Sequence, residues 1–188
     1  PGGGSVSAIC AAFAASMGAM VASLTIGKKK YRDVEQQMVS LKSTTMGLLS
    51  EFQELVGEDI KQFGNFMDAY RLPKETPEEK ENRDSSVQGA LKGATETPLK
   101  VARRCVSLLE AVCELAPLGN KMAISDAGVA AYLGEASLNA VLLSVDINIP
   151  MIKDSAFVKE VVEEKEGLAK QARELKEKAL AIVFERMN

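Results

Sequence analysis

Asp59 is the residue whose type and sequence neighbours best suit acid–base chemistry. Apolar and aromatic residues recur around it at steps of three or four: Phe52, Val56, Phe63, Phe66 and Tyr70. That spacing is typical of one helix face, so Asp59 is predicted to lie in an apolar surface that packs against other helices. A buried carboxylate is costly unless it finds hydrogen-bond partners or becomes neutral. The pattern predicts either a general acid/base or a structural aspartate, and it leaves both open.

The composition excludes several common kinds of site. The 188 residues contain no His and no Trp, and the formal net charge is -3. Without His there is no Ser-His or Cys-His pair, and most zinc sites lack their usual ligand, so no metal is expected. A nucleic-acid binder normally carries a basic surplus, which is absent here, so no nucleic-acid partner is expected. Proton transfer must use Asp, Glu, Lys, Tyr or Cys.

The three cysteines point to a reducing compartment. Cys10, Cys105 and Cys113 lie in helical apolar patterns, and none belongs to a CxxC pair. An odd number of such residues favours reduced, buried thiols in a cytoplasmic protein. A nucleophilic cysteine is the less favoured alternative, because no His is available to activate it.

The elements that must position Asp59 begin with an uncharged segment from Val6 to Ile26. Its length would suffice for a membrane span, but its many Ala and Ser residues favour a central helix buried on nearly all sides. No membrane partner is therefore expected. The preceding Gly2–Gly4 is predicted to be a loop, with Ser5 as the N-cap. A glycine loop before a helix can also bind anions.

Two long helices are predicted next. The first begins near Asp33, where Gln36 completes a capping-box pattern, and ends before Leu72-Pro73. The second begins after Thr76 as N-cap, with Pro and Glu at favourable positions of its first turn. Pro98 is predicted to restart or kink it, and residues 117–119 to end it.

The last third contains two more helices. Residues 126–148 are rich in Ala, Gly and Ser, which predicts a second close-packed central helix with Ser125 as its cap. Ser155 opens an outer helix whose apolar stripe contains one charged residue, Lys165. No strand-length alternation is present. The sequence predicts one all-α domain over residues 1–188, a bundle of five to seven helices around two small-residue-rich central ones.

Several motifs together resemble one known family. They are Pro-Gly-Gly-Gly-Ser (1–5), Gly-Lys-Lys-Lys-Tyr (27–31), Tyr-Arg-Leu-Pro-Lys (70–74), Thr-Pro-Glu-Glu-Lys (76–80), Gly-Asn (119–120), Ser-Asp (125–126), Val-Ala-Ala (129–131) and Ile-Asn-Ile (147–149). They resemble the formiminotetrahydrofolate cyclodeaminase / methenyltetrahydrofolate cyclohydrolase family over almost the whole chain. The Arg-Leu-Pro-Lys segment is most similar to the cyclodeaminase domain of the bifunctional formiminotransferase-cyclodeaminase. Ser144 and Asp146 depart from the family pattern, which usually has Asn and an apolar residue there.

The resemblance implies an all-helical homodimer or higher homo-oligomer, with the folate site at or near subunit contacts. It implies that Asp59 is the catalytic residue and that a tetrahydrofolate derivative is the substrate, with no other cofactor. The expected reaction converts 5-formiminotetrahydrofolate to 5,10-methenyltetrahydrofolate and ammonia. The alternatives are a methenyltetrahydrofolate cyclohydrolase and a non-catalytic helical oligomerisation domain. A formiminotransferase domain fused before Pro1 is a further expected partner.

The resemblance also suggests substrate-binding residues, each with a plain structural alternative. Gly3, Gly4 and Ser5 are predicted to offer backbone donors to the substrate, or simply to start a helix. Asn120 and Asp126 are predicted to hydrogen-bond the pterin ring, or to cap and begin a helix. Asn148 is predicted to orient the substrate or to cap a helix. The run Lys28–Lys30 meets folate glutamates in one interpretation and is a solvated helix end in the favoured one.

Overall fold

The fold is an all-helical bundle, as the sequence predicts. The computed structural model describes residues 2–188, and that part of the chain contains no strand. The five long helices are α1 (Gly3–Thr25), α2 (Glu35–Tyr70), α3 (Pro77–Leu118), α4 (Ile124–Asp146) and α5 (Ser155–Met187). Short 3-10 turns precede α2 and flank α4, at Lys29–Val34, Lys121–Ala123 and Ile149–Met151.

The predicted central helices are α1 and α4. They pack along each other, with α2 against α1, α3 against both α2 and α4, and α5 against α3 and α4. Fully buried alanines such as Ala8, Ala11 and Ala130 let the helix axes approach closely. Larger side chains, among them Phe52 and Leu108, fill the space between the outer helices.

The expectation that α1 is buried on nearly all sides is wrong. Val6, Ile9, Phe13 and Leu24 are 40–61% exposed and form one stripe along the helix. The reason is geometric: α1 packs mainly against α2 and α4, so one face of it has no neighbour among residues 2–188. By length and composition, Gly3–Thr25 and Lys121–Met151 would each suffice to cross a membrane. However, 61% and 50% of their most apolar 18-residue segments are buried in the fold, and the core helix of a globular protein can have the same length and composition.

Some of the predicted helix starts are confirmed and others are wrong. The capping box of α3 is confirmed, because Glu79 N donates to Thr76 Oγ1 at 3.2 Å and Thr76 N donates to Glu79 Oε2 at 3.0 Å. The predicted box at Asp33 is wrong, since a 3-10 turn precedes α2. Ser125 lies inside α4 and does not cap it. Asp154, which the sequence analysis missed, caps α5 by accepting from two backbone N–H groups.

The start of α1 also differs from the prediction. The helix begins at Gly3, three residues earlier than expected, and Val6 N donates to Gly2 O at 3.1 Å. Gly3 and Gly4 are therefore helical rather than part of a loop. Ser5 is not the N-cap: it lies in the first turn with no exposed surface.

Pro98 does not restart α3 as a second helix, because one helix runs through it from Pro77 to Leu118. Proline lacks an N–H group, so the carbonyl four residues earlier, Ala94 O, loses its helical donor. Asn148 replaces that donor from another helix end, since its Nδ2 donates to Ala94 O at 3.2 Å. At the C-terminus of α3, Arg186 donates to the carbonyl groups of Ala116 and Gly119, the latter at 2.7 Å.

Two of the three cysteines, Cys105 and Cys113, fill core positions as predicted. Cys105 is fully buried, and burial raises the pKa of its thiol. Burial likewise raises the pKa of the Cys113 thiol, which donates to Leu175 O at 3.1 Å. All three cysteines are free thiols, and Cys10 is half-buried.

Candidate active site

A pocket of about 490 Å³ opens where the first turn of α1 meets α2, α3 and the C-terminus of α4. Its volume falls in the range of small-molecule sites. The lining residues come from four segments: Gly2, Gly3 and Gly4; Asp59, Ile60, Gln62, Phe63 and Phe66; Ala94 and Pro98; Ser144, Ile147, Asn148 and Met151. Of these, Asp59 is the one charged side chain. The walls are therefore apolar and aromatic around a single carboxylate.

Asp59 is held by the first turn of α1. Ser5 Oγ donates to Asp59 Oδ2 at 2.6 Å, across 54 residues of sequence. Asp59 is half-buried, while Ser5 has no exposed surface. The carboxylate thus lies on the helix face predicted for it and has a partner from another helix. A hydroxyl donor to a charged acceptor gives a short, comparatively strong hydrogen bond.

Gly4 permits this close approach. A Cβ atom built on Gly4 would lie 2.3 Å from Asp59 Oδ1 and 2.8 Å from its Cγ, well inside contact distance. No residue with a side chain fits there unless the carboxylate moves. Gly3 is less constrained, since a Cβ on it would meet only Ser144 Oγ, at 3.7 Å. Gly4 thus serves the fit of a carboxylate, a reason that the sequence alone does not show.

The predicted apolar face of α2 is buried only in part. Phe52 and Leu55 lie in the core, whereas Ile60 is 47% and Phe63 is 64% exposed. The change occurs at Asp59, because beyond it α2 borders the pocket instead of packing directly on α1. The same helix face thus changes from core to pocket wall over about one turn.

Asn148 reaches the pocket from the C-terminal end of α4. Its Nδ2 is committed to Ala94 O, the carbonyl that Pro98 leaves without a helical donor. Pro98 and Ala94 themselves line the pocket. Because the amide nitrogen is fixed on α3, the side-chain oxygen of Asn148 remains for another donor.

Glu58, the neighbour of Asp59, has a different role. It accepts from Lys100 Nζ at 2.7 Å and from Thr97 Oγ1 at 3.0 Å. The Lys100 ammonium is the main reason that the pKa of Glu58 lies below its usual value. This carboxylate therefore links α2 to α3 and fixes the helix register that turns Asp59 toward α1.

Asn120 and Asp126 lie at the opposite end of the bundle from Asp59. Asn120 N donates to Thr25 Oγ1 at 2.8 Å, and its Nδ2 donates to Leu24 O at 2.9 Å. Since Thr25 is 21 residues along α1 from Gly4, the separation is roughly 30 Å at 1.5 Å per residue. Asp126 is in the first turn of α4, whose far end borders the pocket. The structure therefore does not bring these two residues to Asp59 within one chain.

The two departures from the family pattern lie in different places. Ser144 lines the pocket, opposite Gly3. Asp146 forms an ion pair with Lys165, the one charged residue on the predicted stripe of α5. Each of these two unexpected charges thus accounts for the other. The run Lys28–Lys30 follows α1 at its far end and does not line the pocket.

Sequence reasoning missed several wall residues. Gln62 lies one turn beyond Asp59 on α2, so the helical spacing could have identified it. Ala94, Pro98 and Met151 gave no such signal, since they reach the pocket only through the packing of α3 and the turn after α4. Nothing in their local sequence marks them as part of a site.

This arrangement suits proton transfer on a flat, largely apolar ligand. Aromatic side chains of α2 offer surfaces for ring stacking, and a single carboxylate can accept and return one proton. No Lys or Arg lines the described pocket, so a ligand with an anionic tail would extend that tail outward.

The chain is similar to known proteins over most of its length. The family model described as Formiminotransferase-cyclodeaminase matches residues 1–167. A methenyltetrahydrofolate cyclohydrolase of Methylorubrum extorquens is 39% identical over 188 residues, which is all of this chain and 90% of that protein. The formimidoyltransferase-cyclodeaminase of Gallus gallus is 32% identical over 186 residues, but this chain spans only 34% of its length.

A solved structure shows the same fold. The crystal structure of formiminotetrahydrofolate cyclodeaminase from Thermotoga maritima superimposes with a TM-score of 0.88 at 30% sequence identity. The match covers 98% of this chain and 88% of that one. The all-helical architecture is therefore shared over nearly the whole length.

Proposed function

Because the chain belongs to the formiminotransferase-cyclodeaminase family of folate one-carbon enzymes, we propose that it converts 5-formiminotetrahydrofolate to 5,10-methenyltetrahydrofolate and ammonia. The observation that carries the proposal is Asp59, the one charged side chain among the described residues that line an apolar pocket. The proposed substrate is a tetrahydrofolate derivative, and the reaction would use no other cofactor.

The proposed chemistry needs one group that moves one proton twice. N10 of the folate attacks the formimino carbon, and a C–N10 bond forms. The formimino nitrogen enters in its protonated amidinium form, as an NH2+ group. N10 loses its proton to Asp59, which then passes that one proton to the formimino nitrogen and so completes the ammonia leaving group. The bond from carbon to that nitrogen breaks, and ammonia leaves with the methenyl bridge closed between N5 and N10. A carboxylate that acts first as base and then as acid suffices for this sequence.

Hydrolysis of 5,10-methenyltetrahydrofolate is the second candidate. It is favoured by the relative that carries the cyclohydrolase name, which is 39% identical and matches over 90% of its own length. In this reaction Asp59 would take a proton from the water that attacks the methenyl carbon. The same pocket serves both reactions, so substrate assays must separate them.

The deciding experiment supplies each substrate to purified protein. With 5-formiminotetrahydrofolate, methenyl absorbance should rise and ammonia should appear in equal amounts. Loss of methenyl absorbance without ammonia, when 5,10-methenyltetrahydrofolate is supplied, would instead support the cyclohydrolase. Absence of turnover with both substrates, in a folded protein, would favour the non-catalytic oligomerisation domain.

We also propose that two copies pair through the open face of α1 and α4. The stripe of α1 has no charged residue, and neither has the outward stripe of α4, which contains Val129, Tyr132, Leu143 and Ile147 at 43–70% exposure. Depletion of charge with large apolar and aromatic side chains is typical of an interface core. A face of this kind can meet itself about a two-fold axis, as most homodimers do.

Antiparallel pairing of α1 would reconcile the predicted pterin contacts with the fold. Asn120 and Asp126 lie roughly 30 Å from Asp59 in one chain, and the partner's copy of that end would come near the pocket. Mixing inactive Asp59→Asn subunits with inactive Asn120→Ala subunits should then restore activity, since some sites would receive both native residues. No recovery in mixed dimers would exclude a site shared in this way.

A further inference from the structure

We propose that Ser5 is a positioning residue for the Asp59 carboxylate, an inference that rests on the proposed function of Asp59 as the proton-transfer group. The sequence suggests Ser5 as a helix cap or a source of backbone contacts. Its side chain instead donates to Asp59 Oδ2 at 2.6 Å. The inference concerns this side-chain bond between α1 and α2, rather than a contact of Ser5 with substrate.

The use of this hydroxyl differs from that of the other serines on α1. Ser7, Ser16 and Ser23 donate to the carbonyl four residues earlier in the same helix, at 2.8–2.9 Å. The Ser5 hydroxyl crosses to another helix and meets a side chain. It is also completely buried. Water therefore cannot easily replace it as a donor to Oδ2.

The bond divides the two carboxylate oxygens between two tasks. Oδ2 is the acceptor for Ser5, so Oδ1 is the oxygen that we assign to proton transfer. Gly4 leaves the space that Oδ1 needs, because a Cβ built on Gly4 would lie 2.3 Å from that atom. A carboxylate that is hydrogen-bonded at Oδ2 and packed closely against the first turn of α1 loses little rotational freedom when the substrate binds. The first turn of α1 is thus a platform that orients the reacting group.

A purely structural role makes a different prediction. If the bond only ties α1 to α2, its loss lowers stability while the folded fraction turns over at the native rate. If it positions Asp59, its loss lowers kcat while KM changes little, because substrate contacts in the pocket remain. The split between kcat and KM separates the two interpretations.

Ser5→Thr and Ser5→Val form a matched pair, because they have nearly the same shape and differ by the hydroxyl group. We expect Ser5→Thr to retain most of the native kcat. Ser5→Val should lose about 10- to 100-fold in kcat, the scale of a misplaced catalytic group, with KM within about two-fold. Ser7→Ala is the control: Ser7 is buried on the same helix but donates only to Gly3 O.

Equal kcat values for Ser5→Thr and Ser5→Val, in the presence of an active native enzyme, would overturn the inference. If the added methyl groups prevent folding, Ser5→Ala replaces Ser5→Val and is compared with the native protein, and native kcat in that variant would also overturn it. Failure of the proposed function looks different, because the native protein itself would then turn over neither folate substrate.

Discussion

Gly4 and the Asp59 carboxylate lie so close together that no methyl group fits between them, since a Cβ on Gly4 would lie 2.3 Å from Asp59 Oδ1. The requirement comes from the close approach of a carboxylate and not from an unusual backbone angle, because Gly4 is helical. The start of α1 and the middle of α2 are thereby fixed against each other at the centre of the candidate site.

The first prediction is that Gly4→Ala gives a folded protein with greatly reduced activity. The new methyl group must push the Asp59 carboxylate out of place, and a displaced catalytic group costs on the order of 100-fold in kcat/KM. Circular dichroism and steady-state kinetics check this. Gly57→Ala is the control, because a Cβ there meets nothing within 4 Å. It should keep native activity and gain about 0.5–1 kcal/mol of helix stability. Native activity in Gly4→Ala would contradict the geometry.

The second prediction separates catalysis from stability at Asp59. Asp59→Asn keeps the shape but cannot take a proton, so it should lower kcat by about 100-fold or more. Asp59→Leu should be equally inactive yet fold at least as well, because an apolar side chain suits the pocket wall. Urea unfolding and activity are measured on both variants. An unfolded Asp59→Leu with an active Asp59→Asn would make Asp59 a structural residue.

The third prediction concerns Pro98 and Asn148. Pro98→Ala restores an N–H group that can donate to Ala94 O, so it should stabilise α3 by about 1 kcal/mol after the lost chain rigidity and packing are subtracted. Asn148→Ala should then lower the free energy of unfolding by about 1 kcal/mol in the native background, because Ala94 O is left without a hydrogen-bond donor. In the Pro98→Ala background the loss should be much smaller. A double-mutant cycle by urea unfolding measures this coupling. Strict additivity would show that Asn148 does not compensate for the proline.

The fourth prediction concerns acid stability. Arg103 donates to Glu164 at 2.5 and 2.8 Å and to Glu96 at 2.5 Å, which links α3 to α5. The Arg103 guanidinium is the main cause that lowers the pKa of Glu164. Because the pKa of Glu164 is lower in the folded state than in the unfolded state, its ionised form stabilises the folded protein at pH values above the unfolded-state pKa, near 4.3. That contribution is lost as the pH falls through the folded-state pKa.

Arg103→Gln should therefore lower the free energy of unfolding at pH 7 and much less below pH 3. Because the groups are about one-third exposed, the expected loss is only about 0.5–1 kcal/mol. Urea unfolding at the two pH values measures it. Lys170→Gln is the control, since its contact with Glu174 is 4.0 Å long and largely exposed. An equal loss at both pH values would exclude the ionic origin.

The fifth prediction tests the proposed pairing of two chains. Phe13 is 61% exposed at the middle of the α1 stripe. Phe13→Asp should leave the fold intact, because the side chain already faces outward, but should dissociate the dimer. Phe184→Asp, at a 52% exposed position on α5, is the control and should not. Light scattering after size-exclusion chromatography gives the masses. A native protein that is already a monomer would contradict the pairing.

The sequence by itself determined the elements and the central residue. Apolar spacing predicted the helices. Proline predicted where α2 ends, the capping box predicted where α3 begins, and the small residues identified α1 and α4 as central. The helix face of Asp59 was also predicted correctly, because these features depend on residues within a few turns of one another.

The tertiary structure decided what each face meets. Periodicity shows that a helix has an apolar side, but not whether a helix, a pocket or an open surface lies against it. The Ser5–Asp59 bond spans 54 residues and the Asn148–Ala94 bond another 54, so neither leaves a local pattern. The distance of Asn120 from Asp59 follows from the length of α1 once both ends are placed. Such relationships arise only when separate helices pack, because each depends on two positions that the chain brings together in space.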